Sequence, residues 1–178
     1  MDAGVHHLQT KAERVKADNL AAVLKELHHD KLALRQRHVA VAAQVSDYNF
    51  NNTYQYVIAR EDVHLSWLEA ALGELGVTPD QVAVPQLPAR GKKDGFQPLV
   101  SQDAREAGEF VARWRAREGE ITNARHDKMV KVMLGETLEQ KRFFDQMVAG
   151  NEDLLGRRSN GANSPGTGDG VLAERWRE

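Results

Sequence analysis

The chain is patterned by apolar residues spaced alternately three and four apart, the signature of helices packed in a bundle. The clearest seam runs Tyr54, Val57, Glu61, His64, Leu68, Ala71, Leu75, with Ile58, Leu65 and Leu72 broadening one side. An earlier stretch repeats the spacing through Leu20, Leu24, Leu27, Lys31, Leu34, His38, Val41 and Val45. Towards the other end, Ala104, Ala107, Val111 and Trp114 define a third face. A fourth carries Met129, Val130, Met133, Thr137, Gln140, Phe144 and Met147. The pattern predicts an all-α protein of four helices.

Glycine and proline mark the joints. Gly73 is the only one of either between Ala12 and Leu75, and the cluster Asp47–Thr53 is the one group of turn and capping residues there. This predicts helices over about 12–46 and 52–75, with Asn52 or Thr53 as the cap between them and Gly76 as the C-terminal stop. Residues 76–100 hold four of the five prolines and read as a long loop. Helices over about 101–118 and 122–149 follow, separated by a break at Gly119–Asn123. The bundle thus spans 12–150, preceded by an extension over 1–11. A Gly/Ser/Asn-rich linker over 151–170 and a short amphipathic tail over 171–178 complete the chain. A helix of ~23 residues is ~35 Å long. A loop of 25 residues can run that distance back, which sets the second and third helices parallel. One long crossover of this kind is the ferritin-like form of the four-helix bundle.

Composition narrows the chemistry. There are no cysteines, 24 Lys+Arg against 26 Asp+Glu, and a formal net charge of −2. A nearly neutral chain is not expected to bind nucleic acid broadly. The longest apolar run, Val39–Ala43, is far short of the ~20 residues of a membrane helix, so no membrane association is expected. Met1–His7 has no apolar stretch resembling a secretory signal, and a cytoplasmic location is expected. Any metal would be held by oxygen and nitrogen ligands, which suits iron or manganese.

Glu61 and His64 fall mid-helix on the apolar seam. A buried carboxylate is costly unless paired, protonated or bound to a cation. On an antiparallel neighbour joined by a turn near residue 50, the position level with them is close to His38. Glu26 is better placed only if the turn lies earlier. Further along, Glu106 borders its helix face and Glu109 points away, while Glu136 lies at an edge and Glu139 further round. The simpler reading of each of these carboxylates is a solvated helix face. His6, His7, His28 and His29 read as exposed, and Trp67, Trp114, Phe143 and Phe144 as core.

Residues Asn51–Leu75, with Glu61-Asp-Val-His64 at their centre, resemble the second helix of the ferritin and rubrerythrin superfamily. The resemblance implies a carboxylate on the first helix, Glu-x-x-His on the second, a carboxylate on the third and Glu-x-x-His on the fourth. Glu61 and His64 match the second-helix motif. Glu26 lies 35 residues before Glu61, and Glu106 lies 33 before Glu139, separations similar to the family's. Glu136 and Glu139 are the fourth-helix carboxylates, but Arg142 stands where a His is expected. An arginine stays protonated and cannot ligate; turned inward, it would pair with a carboxylate in place of a second ion.

Two functions follow as expectations. One is a metal-binding bundle using Glu61, His64, His38, Glu26, Glu106, Glu136 and Glu139, holding iron or manganese and oxidising Fe(II) with O₂ or peroxide. The other is a non-catalytic bundle that has lost the centre and serves as a dimerisation or interaction module. Either is expected to form a homo-oligomer, a dimer or larger. The tail at 171–178 is a candidate docking peptide for a protein partner.

Overall fold

A computed structural model of the chain describes residues 11–87, 95–151 and 154–155. The N-terminal extension, most of the linker and the tail lie outside these residues. Four helices make up the described chain: α1 Lys11–Ala42, α2 Tyr48–Glu74, α3 Gln97–Ala116 and α4 Ala124–Val148. A 3-10 turn at Glu118–Glu120 precedes α4, and there is no strand among the described residues. None of the helices is long and apolar enough to cross a membrane.

The helix ends follow from local chemistry and shift three predicted boundaries. Asp47, not Asn52 or Thr53, caps α2, its Oδ1 accepting from Phe50 N at 3.0 Å. The aspartate opens the helix four residues earlier because its side chain supplies the acceptor that the first free N–H groups require. Asn51 instead serves α1, donating from Nδ2 to the carbonyls of Ala42 and Val45 at 2.9 and 3.1 Å. α1 therefore stops at Ala42, and the turn centres near residue 45 instead of 50. α3 starts at Gln97 with Pro98 in its first turn, where a missing N–H costs nothing. Asn123 caps α4 by accepting from Arg125 N and His126 N. α2 and α4 both end in a left-handed glycine, Gly76 at φ +72° and Gly150 at φ +82°. After each, the next N–H reaches back to close the last turn, Val77 to Leu72 O and Asn151 to Gln146 O, both at 3.0 Å.

α1 packs on α2 and α3 on α4, with α1 against α3 and α2 against α4 completing the bundle. Paired side chains fix the directions. Arg37 meets Asp103 and Asp30 meets Trp114, so α1 and α3 are antiparallel. Arg60 meets Glu136 and Glu74 meets Arg125, so α2 and α4 are antiparallel too.

The apolar core comes in two parts. One contains Leu24, Leu27, Leu68, Leu72, Trp114 and Met133. The other contains Val41, Val45, Tyr54, Val57, Phe144 and Met147. Burying a side chain of this size stabilises by ~1.5–3 kcal/mol, so both parts anchor all four helices. Between them lies a layer of charged and polar side chains with almost no solvent contact.

Candidate functional site: a charged belt inside the bundle

The belt is centred on Glu61, which has no solvent exposure. Its two carboxylate oxygens have different partners. Oε1 accepts from Lys31 Nζ at 2.8 Å, and Oε2 faces His38 Nδ1 at 2.8 Å. Lys31 is itself fully buried. Its ammonium also donates to Thr137 Oγ1 at 3.2 Å and lies 5.4 Å from the centre of the Phe110 ring. Thr137 is oriented to accept because its hydroxyl donates to Met133 O at 2.8 Å. The His38 ring is fixed by Phe144 and Tyr54, 5.0 and 6.2 Å between centroids.

Burial pushes the Glu61 carboxyl upward, but the charges and hydrogen bonds of His38 and Lys31 outweigh it and hold the group down at about 2. Glu61 is therefore an anion at neutral pH, and Lys31 supplies a cation at hydrogen-bond distance. An ion pair so placed is costly to bring out of water and costlier still to break.

His64, one helical turn further along α2, is buried and aimed away from this pair. Its Nε2 meets Glu136 Oε2 at 2.7 Å. Burial, helped by the Lys31 charge, lowers His64 to about 4 despite the nearby carboxylates of Glu136 and Glu61. The neutral ring thus donates its Nε2–H to Glu136. Arg60 Nε donates to the same carboxylate at 3.0 Å. Burial raises the Glu136 pKa, and the bonds from Arg60 and His64 bring it below the ordinary value.

A second buried group joins α1, α2 and α3. Asp103 accepts from Arg37 Nε at 2.7 Å on Oδ1 and from the Tyr54 hydroxyl on Oδ2. Arg37 also meets Glu106 at 3.1 Å and donates to Leu99 O at 3.4 Å. Burial lifts the Asp103 pKa against the pull of His38, Tyr54 and Arg37. It lifts the Tyr54 phenol too, reinforced by the Asp103 charge. The phenol is a hydrogen-bond donor at any ordinary pH.

Of the seven residues expected as ligands, the structure joins Glu61 with His38 and His64 with Glu136. Glu26 lies on the surface, paired with Arg117 at 2.7 Å. Glu106 belongs to the Arg37 group, and Glu139 is exposed. Arg142 is exposed as well, so it does not fill a second cation's place; Lys31 fills the central one. His28 corrects its expected exposure: it is 1% exposed, because the α1 seam is wide enough to take Leu27 and His28 together. Among the described residues, no three His, Asp or Glu side chains are grouped so as to hold an ion.

These residues do not fit a dinuclear centre. Both Glu61 oxygens are engaged, an ammonium supplies the positive charge beside them, and the inward pair on α4 with i,i+3 spacing is Thr137 and Gln140. Lys31, Thr137 and Gln140 were legible as polar residues on apolar seams. Asp103 lies one position from Ala104, and its true neighbours on the face are Ala107, Phe110 and Trp114. Four ring or amide atoms in the belt make no hydrogen bond: His38 Nε2, His64 Nδ1 and both polar atoms of Gln140.

No known family's sequence profile matches the chain, and no curated protein or solved structure resembles it significantly.

Proposed function

We propose that the chain is a ferritin-like bundle whose internal cation is the Lys31 ammonium, and that it works as a structural or interaction module through its outer surface. The single observation that carries this reading is the fully buried Lys31 Nζ, 2.8 Å from Glu61 Oε1. A lysine in that position puts its ammonium where a bound ion would otherwise sit beside Glu61.

The helix directions support the ferritin-like topology. With α1 antiparallel to both α2 and α3, the latter two run the same way. Tyr54 and Asp103, each six residues into its helix, then meet at one end. The segment between α2 and α3 is in this reading the long crossover. Exposed Tyr56 on α2 and Val132 on α4 give the outer surface apolar points for a second copy or a partner.

The contending reading, an iron or manganese centre that oxidises Fe(II), is favoured by the unbonded nitrogens of His38 and His64. In it, those two rings would hold one ion beside Glu61. Metal analysis separates the two. After incubation with Fe(II) or Mn(II) and desalting, the parent chain is expected to retain under ~0.1 ion per chain and to show no thermal shift. Lys31→Ala, which frees Glu61, is expected to gain a metal-dependent shift. Stoichiometric metal in the parent, lost in Glu61→Ala and His64→Ala, would overturn the module reading.

A further inference from the structure

The groove between α1 and α3 contains a cavity of about 460 Å³, a size that suits a small ligand. Its middle is apolar, with Ala33 and Leu34 on one wall and Phe110 on the other. Val82 and Pro85, from the segment after α2, also line it. That segment is tied to α1 at two points. Gln36 Nε2 donates to Val82 O at 3.2 Å, and Lys25 pairs with Asp80 at 3.0 Å.

The two ends of the cavity are charged, and they differ. At one, Asp30 is matched by Arg113 at 2.7 Å and also accepts from Trp114 Nε1 at 3.0 Å. At the other, one guanidinium, Arg37, faces two carboxylates, Asp103 and Glu106. Glu109, one turn along α3 from Glu106, pairs among the described residues with Arg105 of its own helix at 3.7 Å, with both side chains largely in solvent. Three arginines, Arg37, Arg105 and Arg113, thus face four carboxylates, Asp30, Asp103, Glu106 and Glu109, which leaves one negative charge in excess beside the apolar slot. Its length, from Asp30 to Arg37, is ~10 Å along α1.

We propose that this cavity binds a small aliphatic amine in its ammonium form. The head lies between Glu106 and Glu109, and a chain of about six carbons lies along Ala33, Leu34 and Phe110. A carboxylate of the same length could reach Arg37 or Arg113 only by displacing a carboxylate already paired there. An alcohol would bury the same hydrocarbon without satisfying Glu109. The inference does not depend on how the belt is read, since none of the residues that would hold the ammonium belongs to the Lys31–Glu61 pair.

The test is an NMR titration of the full chain with n-hexylammonium, n-hexanoate and n-hexanol, each to ~10 mM, a range suited to a ligand this small. The expected result is saturable amide shifts confined to residues around 33–37 and 106–110 with the ammonium alone. Glu106→Gln combined with Glu109→Gln should weaken binding by about tenfold or more. Ala33→Trp, which fills the slot, should abolish it. Should Ala33→Trp fail to fold, Glu109→Gln alone still reads the head-group contact. Binding of hexanoate or hexanol as tight as that of the ammonium would overturn the proposal. Shifts centred elsewhere, or none with any of the three, would overturn it equally.

Discussion

The bundle buries two acid–base groups of similar composition in different ways. Around Glu61, a lysine, a carboxylate and a histidine are sealed with no exposure at any of the three side chains. Around Asp103, an arginine, a carboxylate and a phenol are graded towards solvent, with Arg37 at 11% and Glu106 at 30% side-chain exposure. The sealed group has no substitute for a lost partner, because water cannot reach it. In the graded group, loss of one partner leaves others, and the α1–α3 cavity admits solvent to the guanidinium. The same charges should thus be nearly all-or-none at Glu61 and tolerant at Asp103.

The largest expected effect breaks the sealed group. Lys31→Met leaves the Glu61 carboxylate buried without its lysine partner and should cost ~3–5 kcal/mol, measured by urea unfolding. That is much of the stability of a typical small domain, so the double variant Lys31→Met/Glu61→Leu belongs beside it. Removing both charges should restore most of the loss, since a well-packed apolar pair can replace a buried ion pair at little cost. A double variant as unstable as the single one would show that the hydrogen bonds to Thr137 and His38, and not the charges, hold the belt.

The belt's presence was legible in the sequence, and its wiring was not. Polar residues on apolar seams announced Glu61, His64 and His38, and Lys31, Thr137 and Gln140 stood on the same seams. What spacing could not give was which of them touch. That depends on the turn, and Asp47 capping α2 moved the turn from near residue 50 to near 45. Lys31 and His38, seven residues apart on α1, both reach Glu61, the lysine through its longer side chain. The Glu-x-x-His spacing identified the right helix face but does not encode what its neighbours present. His28 shows the same limit, since a helix in contact with two others buries more than one stripe. The four-helix pattern depended only on periodicity and breakers, so it was readable directly.

Acid should act on the buried belt in two windows. His64 is protonated in the unfolded chain below 6.5 but in the folded chain only below about 4. The unfolded state binds the extra proton between those values, so stability falls as pH drops from 6.5 to 4. Glu61 stays ionised in the fold down to about 2, whereas its ordinary value is 4.5. Its contribution, complete above 4.5, is lost as pH falls towards 2. Each shift corresponds to about 3 kcal/mol at full development. Asp103 works in the opposite sense, because its raised pKa lets the fold take up that proton first. Urea midpoints at pH 7, 5 and 3 should fall stepwise, and His64→Gln should flatten the upper step. A parent midpoint that does not move between pH 7 and 4 would mean that His64 is already charged against Glu136.

Tyr54→Phe probes the graded group and should cost ~1–2 kcal/mol, the loss of one hydrogen bond to a charged acceptor. Arg37 still donates to Asp103 Oδ1, and the ring keeps its packing against His38 and Phe144. A cost as large as that of Lys31→Met would erase the distinction between the two groups.

The smallest effect belongs to Glu26, the first-helix position that the family resemblance selects. Its side chain is 53% exposed and its partner Arg117 also bonds Glu120 through Nε and Nη2, at 3.0 and 2.8 Å. Glu26→Gln removes one of two carboxylates from an arginine in solvent, which should change stability by less than ~0.5 kcal/mol. The substitution should also leave the response to Fe(II) and Mn(II) unchanged, both in the parent and in Lys31→Ala. A loss comparable to that of Tyr54→Phe, or a lost metal response in Lys31→Ala, would mean that α1 turns Glu26 inward. That outcome would move Lys31 off the seam and remove the contrast between the sealed group and the graded one.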